Sequence, residues 1–147
     1  MCIFADEAGS QRILCELPVD RPAYMRSFGM SERFIVLAEF PLRVSPLSLA
    51  FSNEPFIRNY RWTPDDGTVL TIISKEDGSI ASRARAPPFF AFHHVNVHEA
   101  DGAVLVDVLA YPDALSALGQ MSLRTPNRRA DRQNAAGGVL GFGWPVV

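Results

Sequence analysis

Cysteine and lysine are nearly missing from this chain. Cys2 and Cys15 are the only two cysteines in 147 residues, too few for a disulfide framework or a cysteine-rich zinc site. A reducing, cytoplasmic setting is therefore expected. Lys75 is the one lysine among 14 basic side chains, which face 16 acidic ones for a net charge of −2. So even a balance gives no general attraction to nucleic acid or an anionic surface, and no nucleic-acid partner is expected. No apolar run approaches the roughly 18 residues that a membrane-spanning helix needs. The first residues, Met1 to Glu7, have no basic segment and meet Asp6 and Glu7 at once, unlike a secretory signal.

What remains is ordinary globular material, 48% hydrophobic and 20% charged. Residues 12–17 and 33–40 are short, rich in β-branched and aromatic side chains, and each is closed by a proline, so both read as strands. Between them, Arg21 to Gly29 reads as a bent strand or a loop. Ser45-Pro46 before Leu47 to Phe51 predicts a single helical turn, with serine as N-cap and proline in the first position. Val69 to Ser74 and Ser79 to Ala84 flank Lys75-Glu76-Asp77-Gly78, the pattern of a hairpin with a glycine in its loop. Phe89 to Val97 and Ala103 to Ala110 repeat it around Glu99 to Gly102. Four consecutive strands at hairpin spacing predict an antiparallel sheet of blade size, and the class is mostly β with short helical turns. Residues 1–118 carry ten basic and fifteen acidic side chains, whereas 119–147 carry four and one. That second stretch, rich in arginine and glycine, is expected to be a disordered or loosely attached tail.

All three histidines, His93, His94 and His98, lie in one stretch from Phe89 to Glu99. Its composition argues for a strand, on which His94 and His98 are about 13 Å apart at roughly 3.3 Å per residue. A shared ion needs both nitrogens near 2 Å, so no two of them serve one metal. Strict alternation puts His93 on an apolar, buried face with Ala91, Val95 and Val97, and His94 with Asn96 and His98 on a polar one. From spacing alone His93 reads as a core histidine satisfied by a carbonyl, or as one donor to a metal whose other ligands come from neighbouring strands. Glu76 and Asp77 read as turn residues, and Cys15 as a small buried hydrophobe. The chain has no Gly-x-Ser-x-Gly elbow, no phosphate loop and no His-Glu-x-x-His.

Several strings in order do resemble a known family. Arg21-Pro22-Ala23-Tyr24-Met25-Arg26-Ser27-Phe28-Gly29-Met30-Ser31-Glu32-Arg33 with Phe34 to Leu42, then Pro55 to Trp62, Ala86 to Asn96, and Asp107 to Ala114, are similar to segments of the carotenoid cleavage oxygenases. The resemblance spans residues 10–118 and roughly a quarter of a family member, a seven-bladed β-propeller. It implies part of that propeller over residues 1–118 and a ferrous ion, Fe(II), held by four histidines from different blades. It also implies cleavage of a conjugated double bond of a carotenoid or apocarotenoid with O2, yielding aldehydes. His93 falls on one ligand position. At another, between Met25 and Ser27, the family has histidine and this chain has Arg26, which offers no lone pair to a metal. The other two ligand strands fall outside these residues. Two or so blades also leave open sheet edges and apolar faces, so self-association is expected; peripheral contact with a membrane is a separate expectation.

Overall fold

The computed structural model describes residues 1–7, 10–121 and 138–146. Strands dominate, all paired antiparallel. A first hairpin joins β1 (Cys2–Glu7) to β2 (Ser10–Glu16). Four strands then form one sheet: β3 (Gly29–Met30), β4 (Phe34–Glu39), β7 (Thr68–Ser74) and β8 (Ile80–Ala86), in that order. A small ladder pairs β5 (Leu42–Arg43) with β6 (Arg61–Trp62), and α1 (Pro46–Phe51) lies between them. A second sheet has the order β9 (Phe90–Ala100), β10 (Ala103–Tyr111), β11 (Gly138–Pro145), with α2 (Ala114–Met121) following β10.

The expected single sheet of four consecutive strands is thus corrected to two pairs in separate sheets. Pro87 and Pro88 stand between β8 and β9, and a residue without an N–H cannot extend a ladder. The chain therefore leaves the first sheet there and starts the second. Thr68, fully buried at the start of β7, holds the crossing point. Its hydroxyl donates to the Phe89 carbonyl and accepts from the Phe89 N–H, both at 3.3 Å.

The main core lies between the two sheets. Val36, Ala38, Leu70 and Ile72 from the first meet Val104, Val106 and Val108 from the second, with Phe40, Phe89, Phe90 and Phe92 between them. Phe90 has no exposed surface and its ring lies 4.8–5.9 Å from those of Phe92, Phe40 and Tyr24. Burial of each such side chain stabilises the fold by about 1.5–3 kcal/mol. The opposite face of β4 presents Ile35 and Leu37 to Leu14, Cys15 and Leu17 of the first hairpin. Cys15 is indeed a buried free thiol, and β4 is covered on both sides.

Turn chemistry follows the residues. In the β7–β8 hairpin Asp77 Oδ1 accepts from the Ser79 N–H and hydroxyl, and Gly78 adopts φ 75°. A Cβ at Gly78 would run into the Leu14 carbonyl, so glycine is required both by the dihedral and by the close approach of β2. α1 starts at Pro46 as expected, although the Ser45 side chain makes no capping bond. Of the stretch read as a tail, residues 119–121 complete α2, 122–137 lie outside the described residues, and 138–145 form β11. A strand there had no sequence signal, because glycines at 138, 141 and 143 break the usual β composition. Its place is given by β10, which it pairs residue for residue from Ala103↔Pro145 to Ala110↔Gly138.

Candidate metal centre

The histidine strand β9 is not regular. Asp107 stands opposite Asn96, Val108 opposite His94, and Ala110 opposite Ala91, so the register shifts twice. Each extra residue on a bulged strand reverses the side-chain alternation that follows it. Residues directly opposite one another share a face. His94, opposite the fully buried Val108, therefore turns toward the core side, together with Val97 opposite Val106. His93 is exposed. The expected assignment, with His93 buried and His94 polar-facing, is corrected on this ground: strict alternation fails at a bulge.

Ser27 joins the other candidate segment to this strand. Its hydroxyl donates to the Phe92 carbonyl at 3.0 Å and lies 3.1 Å from His94 Nδ1. With the hydroxyl hydrogen on Phe92, Nδ1 carries the imidazole proton and donates to Oγ, leaving Nε2 as the bare nitrogen. Nε2 is buried and has no hydrogen-bond partner among the described residues. Burial first, and neighbouring His93 second, hold the His94 pKa below its ordinary 6.5, because an imidazolium loses hydration there.

Glycine and a carboxylate fix the rest. Gly29 packs so closely on β9 that a Cβ would overlap Val97 and press on His94. At the far end of β9, Glu99 Oε1 accepts from the Ser31 hydroxyl at 2.6 Å and the Arg33 N–H at 3.0 Å, while Oε2 takes Arg33 Nε at 2.6 Å. These bonds to its charged form hold the Glu99 pKa down to about 2. Phe28, Gly29 and Met30, with His94, Val95, Asn96 and Val97, line an open cleft. His98 lies on the other face, its Nδ1 3.2 Å from Asn96 Nδ2.

The two positions singled out for iron, 26 and 93, are thus each one residue away from groups in direct hydrogen-bond contact. Arg26 and His93 are both exposed. Ser27 and Glu99 carry this arrangement and were not legible as site residues. Ser27 adjoins a motif position, but the Glu99 contacts arise only when the two sheets meet.

The first 140 residues match the family described as retinal pigment epithelial membrane protein. The chain belongs to that family. Among curated members it is 37% identical over 115 residues to a carotenoid isomerooxygenase of Galleria mellonella, covering 75% of this chain and 22% of that protein. It is 32% identical over 111 residues to a β,β-carotene 15,15'-dioxygenase of Rattus norvegicus, covering 69% and 19%. The fold is similar to that of a cobalt-substituted apocarotenoid oxygenase of Synechocystis, with a TM-score of 0.55, 20% identity, and coverage of 61% and 19%. The chain spans about a fifth of the length of these members of the retinal pigment epithelial membrane protein family. Its two sheets are blades of an unclosed β-propeller.

A ferrous centre needs several neutral donors converging on one point. Among the described residues, no three or more His, Cys, Asp or Glu side chains gather as a metal site, and the Arg26 guanidinium has no lone pair to offer a metal. The described donors do not by themselves fit a ferrous ion.

Proposed function

We propose that this segment belongs to the catalytic propeller of an oxygenase that cleaves a carotenoid or apocarotenoid double bond, with His93 as its one donor to Fe(II). We further propose that these 147 residues alone neither hold that ion nor cleave substrate. The reading rests on the Ser27 contact with Phe92 and His94, which draws the Arg26 segment beside the strand of His93. An imidazole is the right donor for Fe(II), whereas a guanidinium, fixed in its positive charge, is none. Within the chain, His94 and Ser27 hold the bulged strand, and Glu99 locks its end to the β3–β4 turn.

The test is anaerobic titration with ferrous iron, followed by exposure to an apocarotenal in air. The expected result is no stoichiometric iron and no loss of the polyene absorption band. Tight iron binding abolished by His93→Ala, with aldehyde products, would reverse the proposal of inactivity and keep the ligand assignment. Iron that survives His93→Ala would remove the assignment itself.

A second reading has one observation in its favour. α1 and the turn after it expose Leu47 (70%), Phe51 (84%) and Phe56 (59%), an apolar surface suited to a polyene or to the periphery of a membrane. No helix among the described residues is long and apolar enough to cross a bilayer. Saturable binding of an apocarotenal without metal, or flotation with neutral vesicles, each lost in Phe51→Glu, would support an iron-free binding module.

A further inference from the structure

The edges of the two sheets are guarded unequally. β8, the outer strand of the first sheet, carries Arg83 and Arg85 and a register shift at Ile72/Ile73 of its partner. β9 carries two irregularities, and β3 packs against it. Charge, bulging and cover are the usual defences of an exposed edge. Among the described residues β11 has neither charge nor bulge, and its cover is slight. From Gly138 to Pro145 it contains no charged residue, its register with β10 is unbroken over eight pairs, and among the described residues it is hydrogen-bonded on one side only. β8 approaches β11 without pairing to it. Among the described residues the first sheet has four strands and the second three, so a fourth strand beyond β11 would match the two.

We propose that this edge pairs with β11 of a second copy, antiparallel and centred on Gly141. The strand is self-complementary in that register. Leu140, Phe142 and Trp144 lie opposite Val108, Val106 and Val104 and face the core side, whereas Val139, Gly141 and Gly143 face the other. A two-fold axis through a residue keeps core side beside core side, while one placed between residues would mix them. Centring on Gly141 sets Leu140 opposite Phe142 of the second copy and Val139 opposite Gly143, a large side chain against none. It uses nearly the whole strand and covers Leu140 and Val139, now 44% and 64% exposed. Phe142 already stacks on Phe89 at 5.1 Å and on Trp144 at 5.3 Å, which ties the strand to the core side. The inference is independent of any iron site.

Sedimentation velocity over a wide concentration range reads the outcome. A reversible dimer is expected, and Val139→Lys, an exposed position whose change leaves the β10–β11 ladder intact, weakens its dissociation constant about tenfold or more. Mild oxidation of the double variant Val139→Cys with Gly143→Cys yields a disulfide-linked dimer, and neither single variant does. A chain that stays monomeric, a dimer indifferent to Val139→Lys, a ladder of larger species, or a linked dimer from either single variant overturns the proposal.

Discussion

Ser27 and His94, separated by 67 residues, meet at 3.1 Å, and the same serine hydroxyl is bonded to the Phe92 carbonyl at 3.0 Å. One small side chain thus fixes the imidazole tautomer and pins the bulged part of β9. Ser27→Ala leaves the His94 proton without its acceptor and should destabilise the fold by about 1–2 kcal/mol in urea melts. In the NMR spectrum the His94 imidazole should lose its single tautomer while the signals of His98 stay in place. An unchanged His94 spectrum would contradict the assigned bond.

Arg26→His replaces a fixed cation by a potential donor one residue from that contact. Ferrous affinity should rise by no more than about tenfold, since two imidazoles leave most of the ion to water. Anaerobic titration monitored by bound iron per chain checks this. A stoichiometric, tight site in the single variant would mean that other donors converge there.

Glu99 supplies a pH test. Its folded pKa is depressed to about 2 from the ordinary 4.5, so the unfolded chain takes up a proton at a higher pH than the folded one. The stabilisation is complete above about pH 5 and is lost as the pH falls through that window toward 2. Glu99→Gln should cost on the order of 1 kcal/mol at neutral pH. The gap between wild type and variant in thermal melts should close on acidification; a gap constant from pH 7 to 3 would rule out this origin.

Thr68→Val keeps the shape of a buried side chain and deletes its hydroxyl. The Phe89 N–H loses its partner in a site without water access, and a cost of about 1–3 kcal/mol is expected. Amide exchange at Phe89 should quicken by more than at Leu70 in the same core. Uniform acceleration of both would mean that the hydroxyl does not act locally at the crossing between sheets.

Strands β4, β7, β8, β9 and β10 were legible because alternation, β-branched composition and turn residues are local signals. His93 stood out because histidine is scarce and clustered. The face it occupies is not legible, since a bulge carries no mark in one strand's sequence; it arises from register against β10. β11 is illegible for a similar reason. Its glycines argue against a strand in isolation, and only the eight-pair ladder with β10 makes one of it.

By itself, the amino-acid sequence determined the mostly β class, the hairpins around Asp77-Gly78 and Asp101-Gly102, and the motifs of the family, all of which depend on neighbours along the chain. Tertiary structure alone decided how the strands divide between two sheets, which histidine turns inward, and that Ser27 and Glu99 hold the candidate site. The physical reason is common to all three. Each depends on which backbone groups satisfy one another across dozens of residues, and such pairing is a property of the packed chain.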